Sequence, residues 1–335
     1  MSDRRLAGAR ALVTGGAGFI GTNLIARLRA EGARVRATVH RSPPTEVADG
    51  VEYVTADLTR PEDCARAVDG VDYVFHCAAN TSGAAVMVKT PLVHVTPNVV
   101  MNAHLLDAAH AAGVTRFLFV SSGAAYPPTD DRPVEEEEMF AGEPYPTYHP
   151  VAWMKRYAEI LCETYARRVQ PAMSTVVVRP SNVYGPHDKF DFATSHVTAA
   201  LLRRVVERHS PLEVWGTGND VRDLIYIDDF LDGLLRAFAD PAEYLAINIA
   251  SGQGHAVRQV LETLLAVDGF AGADVRFDPS RPSTIPVRLM STAMARERLG
   301  FESQVSLQDG LARTIAWYRA EHRTQEDGRE AVAVA

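Results

Sequence analysis

Residues 10–21, RALVTGGAGFIG, decide the fold. The apolar run ALVT leads into a turn holding Gly15, Gly16, Gly18 and Gly21, and a helical pattern follows. Glycines permit the tight turn and let backbone N–H groups approach a pyrophosphate, whose charge sits at the positive end of the helix. The glycine pattern alone is a weak sign. After a strand, at the head of a strand–helix series, it indicates a bound dinucleotide, with Gly15, Gly18, Phe19, Ile20 and Gly21 at the phosphates.

Outward from this turn, residues 9–15, 33–40, 51–57, 72–79, 116–122 and 174–180 read as strands buried on both faces, because they are apolar without alternation. Helical patterns lie between them at 23–30, 61–68, 99–112 and 151–167. The alternation predicts an α/β protein, a Rossmann doubly wound parallel sheet with a smaller C-terminal α/β substrate-binding domain. The expected division is 1–180 for the dinucleotide domain, with 223–250 returning to it, and 181–222 with 251–320 for the smaller one. Residues 321–335 lack an amphipathic period and are expected to be a frayed tail. The acidic run EEEE at 135–138 reads as a solvated face.

With 34 basic and 42 acidic residues among 335, the net charge of −8 argues against nucleic acid as a partner. A hydrophobic fraction of 47% suits a sizeable core, and 23% charge is too little for disorder. No run approaches the ~20 apolar residues that span a bilayer, so no membrane partner is expected. Cys64, Cys77 and Cys162 show no metal spacing, which leaves no metal site and suits a reducing compartment, the cytoplasm.

The end of the second strand bears on the cofactor. NAD enzymes usually place an acidic residue there for the ribose 2′-OH. This chain has His40 and Arg41, which favours the 2′-phosphate of NADP while leaving NAD possible. Asp57, after the third strand, is placed either to meet adenine or to cap the next helix.

Six motifs together are similar to those of the extended short-chain dehydrogenase/reductase family: TGGAGFIG, AD at 56–57, HCAA at 76–79, SSGAAY at 121–126, RPSNVYGP at 179–186 and VRDLIYIDD at 221–229. The resemblance spans about residues 8–318. Within the family, NVYGPHDKF (182–190), SHVTAALLRR (195–204) and EVWGTGNDVRDLIYIDD (213–229) resemble the GDP-L-fucose synthase group. The resemblance implies a nucleotide-diphosphate sugar as substrate, epimerised or reduced by hydride transfer at C4. It implies that Leu58, Ala78, Ala79, Pro180 and Val183 line the cofactor, and that Lys155 meets the nicotinamide ribose. Ser122 matches a hydroxyl that hydrogen-bonds the reacting sugar oxygen. His196 matches a general acid, although packing or helix capping is its other reading. Asn182, Arg204, Trp215, Arg222 and Arg288 match residues that hold the nucleotide, with Trp215 equally readable as core. The family forms dimers through a four-helix bundle, here expected from 99–112 and 151–167 as a homodimer.

One departure stands out. The family places a tyrosine four residues before the lysine, where this chain has Val151 in VAWMK, 151–155. Residues i and i+4 share a helix face, so the ammonium ordinarily draws the phenol below its free pKa of ~10. Valine has no proton to exchange. The cysteine that serves as epimerisation base in the GDP-L-fucose synthases would fall at Ala124. Three accounts follow. Tyr148, His149 or His196 supplies the proton. Alternatively, the hydride chemistry proceeds with Ser122, Lys155 and water, or the protein is a non-catalytic nucleotide sensor. A nucleotide-sugar dehydratase or decarboxylase remains a further reading.

Overall fold

The computed structural model describes residues 5–44, 47–81, 90, 92–192, 194–281 and 285–333. The first half runs β1 (Arg10–Thr14), α1 (Phe19–Ala30), β2 (Arg34–Val39), β3 (Glu52–Thr55), α2 (Pro61–Val68), β4 (Tyr73–His76), α3 (Leu92–Ala111) and β5 (Arg116–Val120). Then come α4 (His149–Arg167), β6 (Ser174–Pro180), β7 (Asn182–Tyr184), α5 (Val197–Val206), β8 (Leu212–Trp215), β9 (Val221–Tyr226), α6 (Ile227–Ala239) and β10 (Tyr244–Ile249). The chain ends with β11 (Gly254–Ala256), α7 (Val257–Asp268), β12 (Val275–Asp278), β13 (Val287–Arg288), α8 (Ala293–Leu299) and α9 (Leu307–Ala333).

Seven strands form one parallel sheet in the order β10-β6-β5-β4-β1-β2-β3. The order reverses between β1 and β4, and the crevice beyond the carboxyl ends of these two strands is where such sheets receive ligands. Helices cover both faces. Leu24, Leu28, Phe230 and Phe238 pack with Val13, Phe75 and Val176 on one side. On the other, Leu105, Leu106, Ala158 and Cys162 pack with Leu12, Val74 and Phe119. Successive residues Leu12 and Val13 thus serve opposite cores, which explains the unbroken apolar runs. β3 is the exception: none of its four residues is buried, because it is the edge of the sheet with no strand beyond it.

The smaller strands gather separately. β11, β9 and β13 form one sheet, with β7 also paired to β9, and β12 pairs with β8. β10 joins the large sheet, whereas β9 does not.

Several local expectations change. Helix α3 begins at Leu92 rather than near 99, and Pro97 lies inside it. Proline lacks the N–H that would bond the carbonyl four residues earlier. That carbonyl, of Val93, accepts instead from Asn80 Nδ2 at 2.9 Å. The segment expected to fray continues as α9 to Ala333. The acidic run is not uniformly solvated: Glu136 is buried, and its carboxylate accepts from the Asn248 backbone N–H at 2.9 Å. Its neighbours Glu135 and Glu138 form a reciprocal capping box.

Glu136 belongs to a buried polar network between α4 and the sheet. Glu159 and Arg179 pair at 2.7 Å with side chains 0% and 3% exposed. Ser121 Oγ donates to Glu159, Arg179 donates to the Tyr126 hydroxyl at 2.8 Å, and that hydroxyl donates to Asn248 Oδ1 at 2.7 Å. Arg179 also reaches the Glu136 carbonyl at 2.7 Å. Replacing Arg179 with leucine strands the Glu159 carboxylate in the interior, and urea unfolding is expected to show a loss of about 3–5 kcal/mol. A loss under about 1 kcal/mol, typical of an exposed pair, would mean that the network does not hold α4 in place.

Candidate active site

The glycine turn sits at the strand-order reversal. Gly15 has φ +71°, and a Cβ there would lie 2.9 Å from Ala78 Cα, so the turn packs on the chain leaving β4. A Cβ on Gly21 would strike the Gly15 carbonyl, which fixes how closely α1 approaches the turn. Gly18 caps α1 without a side-chain bond, so the N–H groups of Phe19, Ile20 and Gly21 open toward the crevice. An uncapped, glycine-lined helix start fits a pyrophosphate in charge and in space.

Polar groups fix the floor of the crevice. Thr14 Oγ1 accepts from Ala78 N–H at 3.1 Å and bonds His76 Nδ1 at 2.7 Å. His76 Nε2 bonds Asn102 Oδ1 at 2.8 Å. Burial pulls the His76 imidazole down to about 4, so this thread is neutral and structural. Asp57 accepts from the Thr59 hydroxyl at 2.7 Å and from the Thr59 N–H at 3.1 Å, and these bonds hold its carboxyl below the usual range. It does not cap α2, whose cap position is Arg60. His40 lies 3.9 Å from Asp57, and both His40 and Arg41 are exposed at the end of β2. Leu58 is buried, and Ala78, Ala79, Pro180 and Val183 are half-buried around the crevice.

Lys155 reaches the end of β5, and Ser122 lies two residues beyond it. Lys155 is 9% exposed; its Nζ donates to the Val120 carbonyl at 2.8 Å and lies 4.6 Å above the Phe119 ring. Burial draws its pKa down to about 8, with the Glu159 charge opposing. It is not a solvated helix lysine. Ser122 Oγ accepts from Ala124 N–H at 3.1 Å, which leaves its own hydrogen to donate. Tyr126 is fully buried and its hydroxyl is engaged by Arg179 and Asn248.

Pro150 lies in the first turn of α4, as expected, but His149 is already helical. His149 is exposed and lies 3.3 Å from Glu143, while half-buried Tyr148 interacts electrostatically with Arg222 and Arg288. These two arginines occupy matched positions on β9 and β13. Arg288 donates to the Pro127 and Tyr126 carbonyls at 3.0 and 3.3 Å, and its buried Nε has no partner among the described residues. Burial, then the neighbouring Arg222 charge, draws Arg288 down to about 10. Arg222 is lowered by burial too, although Asp220 lies 3.3 Å away.

Asn182 donates to the Asp223 carbonyl at 3.1 Å. Arg204 stands 5.0 Å over the Phe192 ring. Trp215 is 49% exposed, which rules out a core role, and Arg281 lies 5.3 Å over its ring. His196 occupies the cap position of α5 without a side-chain capping bond. Surrounding protein, then the Lys189 charge, holds it below the ordinary imidazole range although it is exposed to water. Absent from the sequence reading is Asp188, half-buried on the loop after β7. Its available signal was its place inside NVYGPHDKF. Among the described residues no group of three or more His, Cys, Asp or Glu side chains is arranged to hold a metal, and no helix is long and apolar enough to cross a membrane.

Residues 11–250 match the model of the family described as NAD dependent epimerase/dehydratase family. GDP-L-fucose synthase of Sinorhizobium fredii is 31% identical over 318 residues, covering 92% of this chain and 95% of that protein. The dTDP-4-dehydro-6-deoxy-D-allose reductase of a Streptomyces species is 30% identical over 332 residues, covering 96% of this chain and 100% of its own length. Among solved structures, the UDP-glucose 4-epimerase of Thermus thermophilus in complex with NAD superimposes with a TM-score of 0.81 at 27% identity, covering 92% of this chain and 99% of that one. Its reversed strand order, its uncapped glycine turn and its match over most of the sequence make this chain a member of the NAD-dependent epimerase/dehydratase family, the extended short-chain dehydrogenases/reductases.

Proposed function

We propose that the protein is an NAD(P)-dependent epimerase or ketoreductase acting at a carbon of a nucleotide-diphosphate sugar, held between the glycine turn and the smaller sheets. The observation that carries this reading is the Arg222–Arg288 pair. Two adjacent guanidiniums, both drawn down by burial, one paired with Asp220 and the other with an unpartnered Nε, favour a further anion, and a diphosphate suits them bidentately. Arg288 bonds the Tyr126 and Pro127 carbonyls, shortly after the Ser122 turn, which supports an attached sugar toward Ser122 and Lys155.

When bound, the dinucleotide gives or takes a hydride at the sugar carbon. Ser122 donates its free hydrogen to the sugar oxygen. The Lys155 ammonium directs one hydrogen to Val120 and keeps two for the nicotinamide ribose and the developing oxyanion. Exposed His40 and Arg41 support NADP over NAD. Residues 181–222 and 251–320 serve as the substrate part, and a cytoplasmic setting suits the free Cys64, Cys77 and Cys162. Trp153, Tyr157 and Ile160 form an exposed stripe on α4, which supports a homodimer through that helix. Val151 favours a second reading, a non-catalytic nucleotide sensor.

The reading is tested with NADPH and NADH against GDP-, dTDP- and UDP-linked 4-keto-6-deoxyhexoses and UDP-glucose. Turnover of one of them is expected; binding of both nucleotides without turnover selects the sensor. Arg288→Met is expected to weaken GDP, dTDP and UDP binding in calorimetry by ~10–100-fold, the worth of a charged hydrogen bond, and an unchanged affinity would move the diphosphate elsewhere. Arg41→Ala is expected to lower the NADPH-to-NADH ratio of kcat/KM by about tenfold or more, leaving NADH unchanged. Ile160→Asp is expected to shift the sedimenting species from dimer to monomer, since a charge buried on each side of a twofold interface goes unpaired.

A further inference from the structure

Arg222 stands at the centre of a row that runs across three strands. In the antiparallel pair of β11 and β9 its partner is His255, and in the parallel pair of β13 and β9 its partner is Arg288. Residues in register across paired strands project from the same face, so an imidazole and two guanidiniums stand side by side. With strands ~4.8 Å apart, the row spans roughly 10 Å. No carboxylate interrupts it.

The His255 end of the row is incomplete. His255 and Arg222 line one cavity together with Val197, Thr198 and Leu201 of α5 and Val257 of α7. The cavity is not sealed, since Val197 is exposed. The imidazole Nδ1 is buried and has no hydrogen-bond partner among the described residues. Arg222 does not supply one. Its Nη1 donates to the Val221 and Pro286 carbonyls at 2.8 and 3.3 Å, and its Nη2 lies 3.3 Å from Asp220. A buried nitrogen left unpaired costs free energy that an apolar side chain at 255 would avoid. The opposite end carries a second unpaired group, the Nε of Arg288, on a residue only 5% exposed. One unpaired nitrogen at each end, with a cation between, suits a ligand that brings acceptor oxygens to both ends.

The two ends have different neighbours. Arg288 bonds the Tyr126 and Pro127 carbonyls, and the sulfur of Met290 occupies the space that a Cβ on Gly123 would need. That end adjoins the turn after Ser122. His255 lies on the far side of β9, against α5 and α7.

We propose that His255 is a third ligand of the diphosphate, holding the phosphoryl group next to the nucleoside, while Arg288 holds the one next to the sugar and Arg222 spans both. The proposal rests on the nucleotide-sugar reading above and adds the direction in which the ligand lies. The imidazole presents an N–H at Nδ1 in one neutral tautomer and in its charged form, and a bond from it to a phosphoryl oxygen is charge-assisted.

Calorimetry on the full chain tests both the contact and the direction, with NADP+ or NAD+ in excess to fill the glycine-turn site. The ligands are GDP, dTDP and UDP and the corresponding monophosphates, which carry only the phosphoryl group assigned to His255. His255→Leu occupies similar space without a donor and is expected to weaken mono- and diphosphates alike, by ~10-fold. Arg288→Met is expected to weaken the diphosphates and leave the monophosphates within ~2-fold of wild type. His255→Asn places an amide N–H near the position of Nδ1 and is expected to return affinity to within ~3-fold of wild type. Unchanged affinities in His255→Leu overturn the proposal, and so does a loss that His255→Asn does not recover, which makes the ring a packing element. A loss confined to the diphosphates in His255→Leu overturns the assigned direction and the proposal with it. A wild type that binds none of the six nucleotides removes the nucleotide-sugar reading as well. Weakened binding in Arg288→Met with unchanged binding in His255→Leu leaves that reading standing and removes this proposal alone.

Discussion

The buried Glu159–Arg179 pair is the constraint on which the site depends. A carboxylate and a guanidinium taken out of water are tolerable only when each satisfies the other and the remaining lone pairs and protons find partners. Here Ser121 completes Glu159, and Tyr126 with the Glu136 carbonyl completes Arg179. Those partners come from the residue just after β5, the turn that follows and the acidic loop, while Glu159 itself is one helical turn beyond Lys155. Satisfying the pair therefore sets the height and rotation of α4 against β5, and with them the 2.8 Å bond from Lys155 to Val120. Lys155 can be an ammonium of reduced pKa in a fixed place because a neighbouring charge pair has already set the geometry.

Much of this was legible in the chain. The parallel sheet follows from six apolar runs without alternation, and the dinucleotide turn from four glycines after the first of them. Burial of Lys155 and exposure of Trp215 decide between readings that the residue types alone left open. What could not be read depends on partners far away in sequence. Glu136 is one of four consecutive glutamates, and contacts far along the chain, the Asn248 amide 112 residues on and Arg179, make it different. Pro97 argues for a helix boundary until Asn80 is seen to occupy the carbonyl it frees. β3 looks like its neighbours until its place at the sheet edge is known. The helical continuation to Ala333 has no periodic signal at all, and we have no physical account of it.

The side chains around the site differ in how firmly they are held. Val151, one helical turn before Lys155, has no proton to exchange and no charge to satisfy. Lys155 is tied to the Val120 carbonyl and Ser122 to the Ala124 N–H. The paired arginines are tied further, Arg288 to the Pro127 and Tyr126 carbonyls and Arg222 to those of Val221 and Pro286.

The smallest strand gives the arginine pair a mechanical meaning. β13 is two residues long, and it pairs with β9 so that Arg288 stands in register with Arg222. Like charges set side by side across a strand pair oppose the pairing. A dianion between them reverses the sign of that contribution, so capture of the ligand and tightening of the edge become one event. Two residues further on, Met290 bridges to Val134, and its sulfur occupies the space that a Cβ on Gly123, the residue after Ser122, would need. In the proposed function the diphosphate end of the ligand therefore bears on a strand whose continuation packs on the turn that carries Ser122.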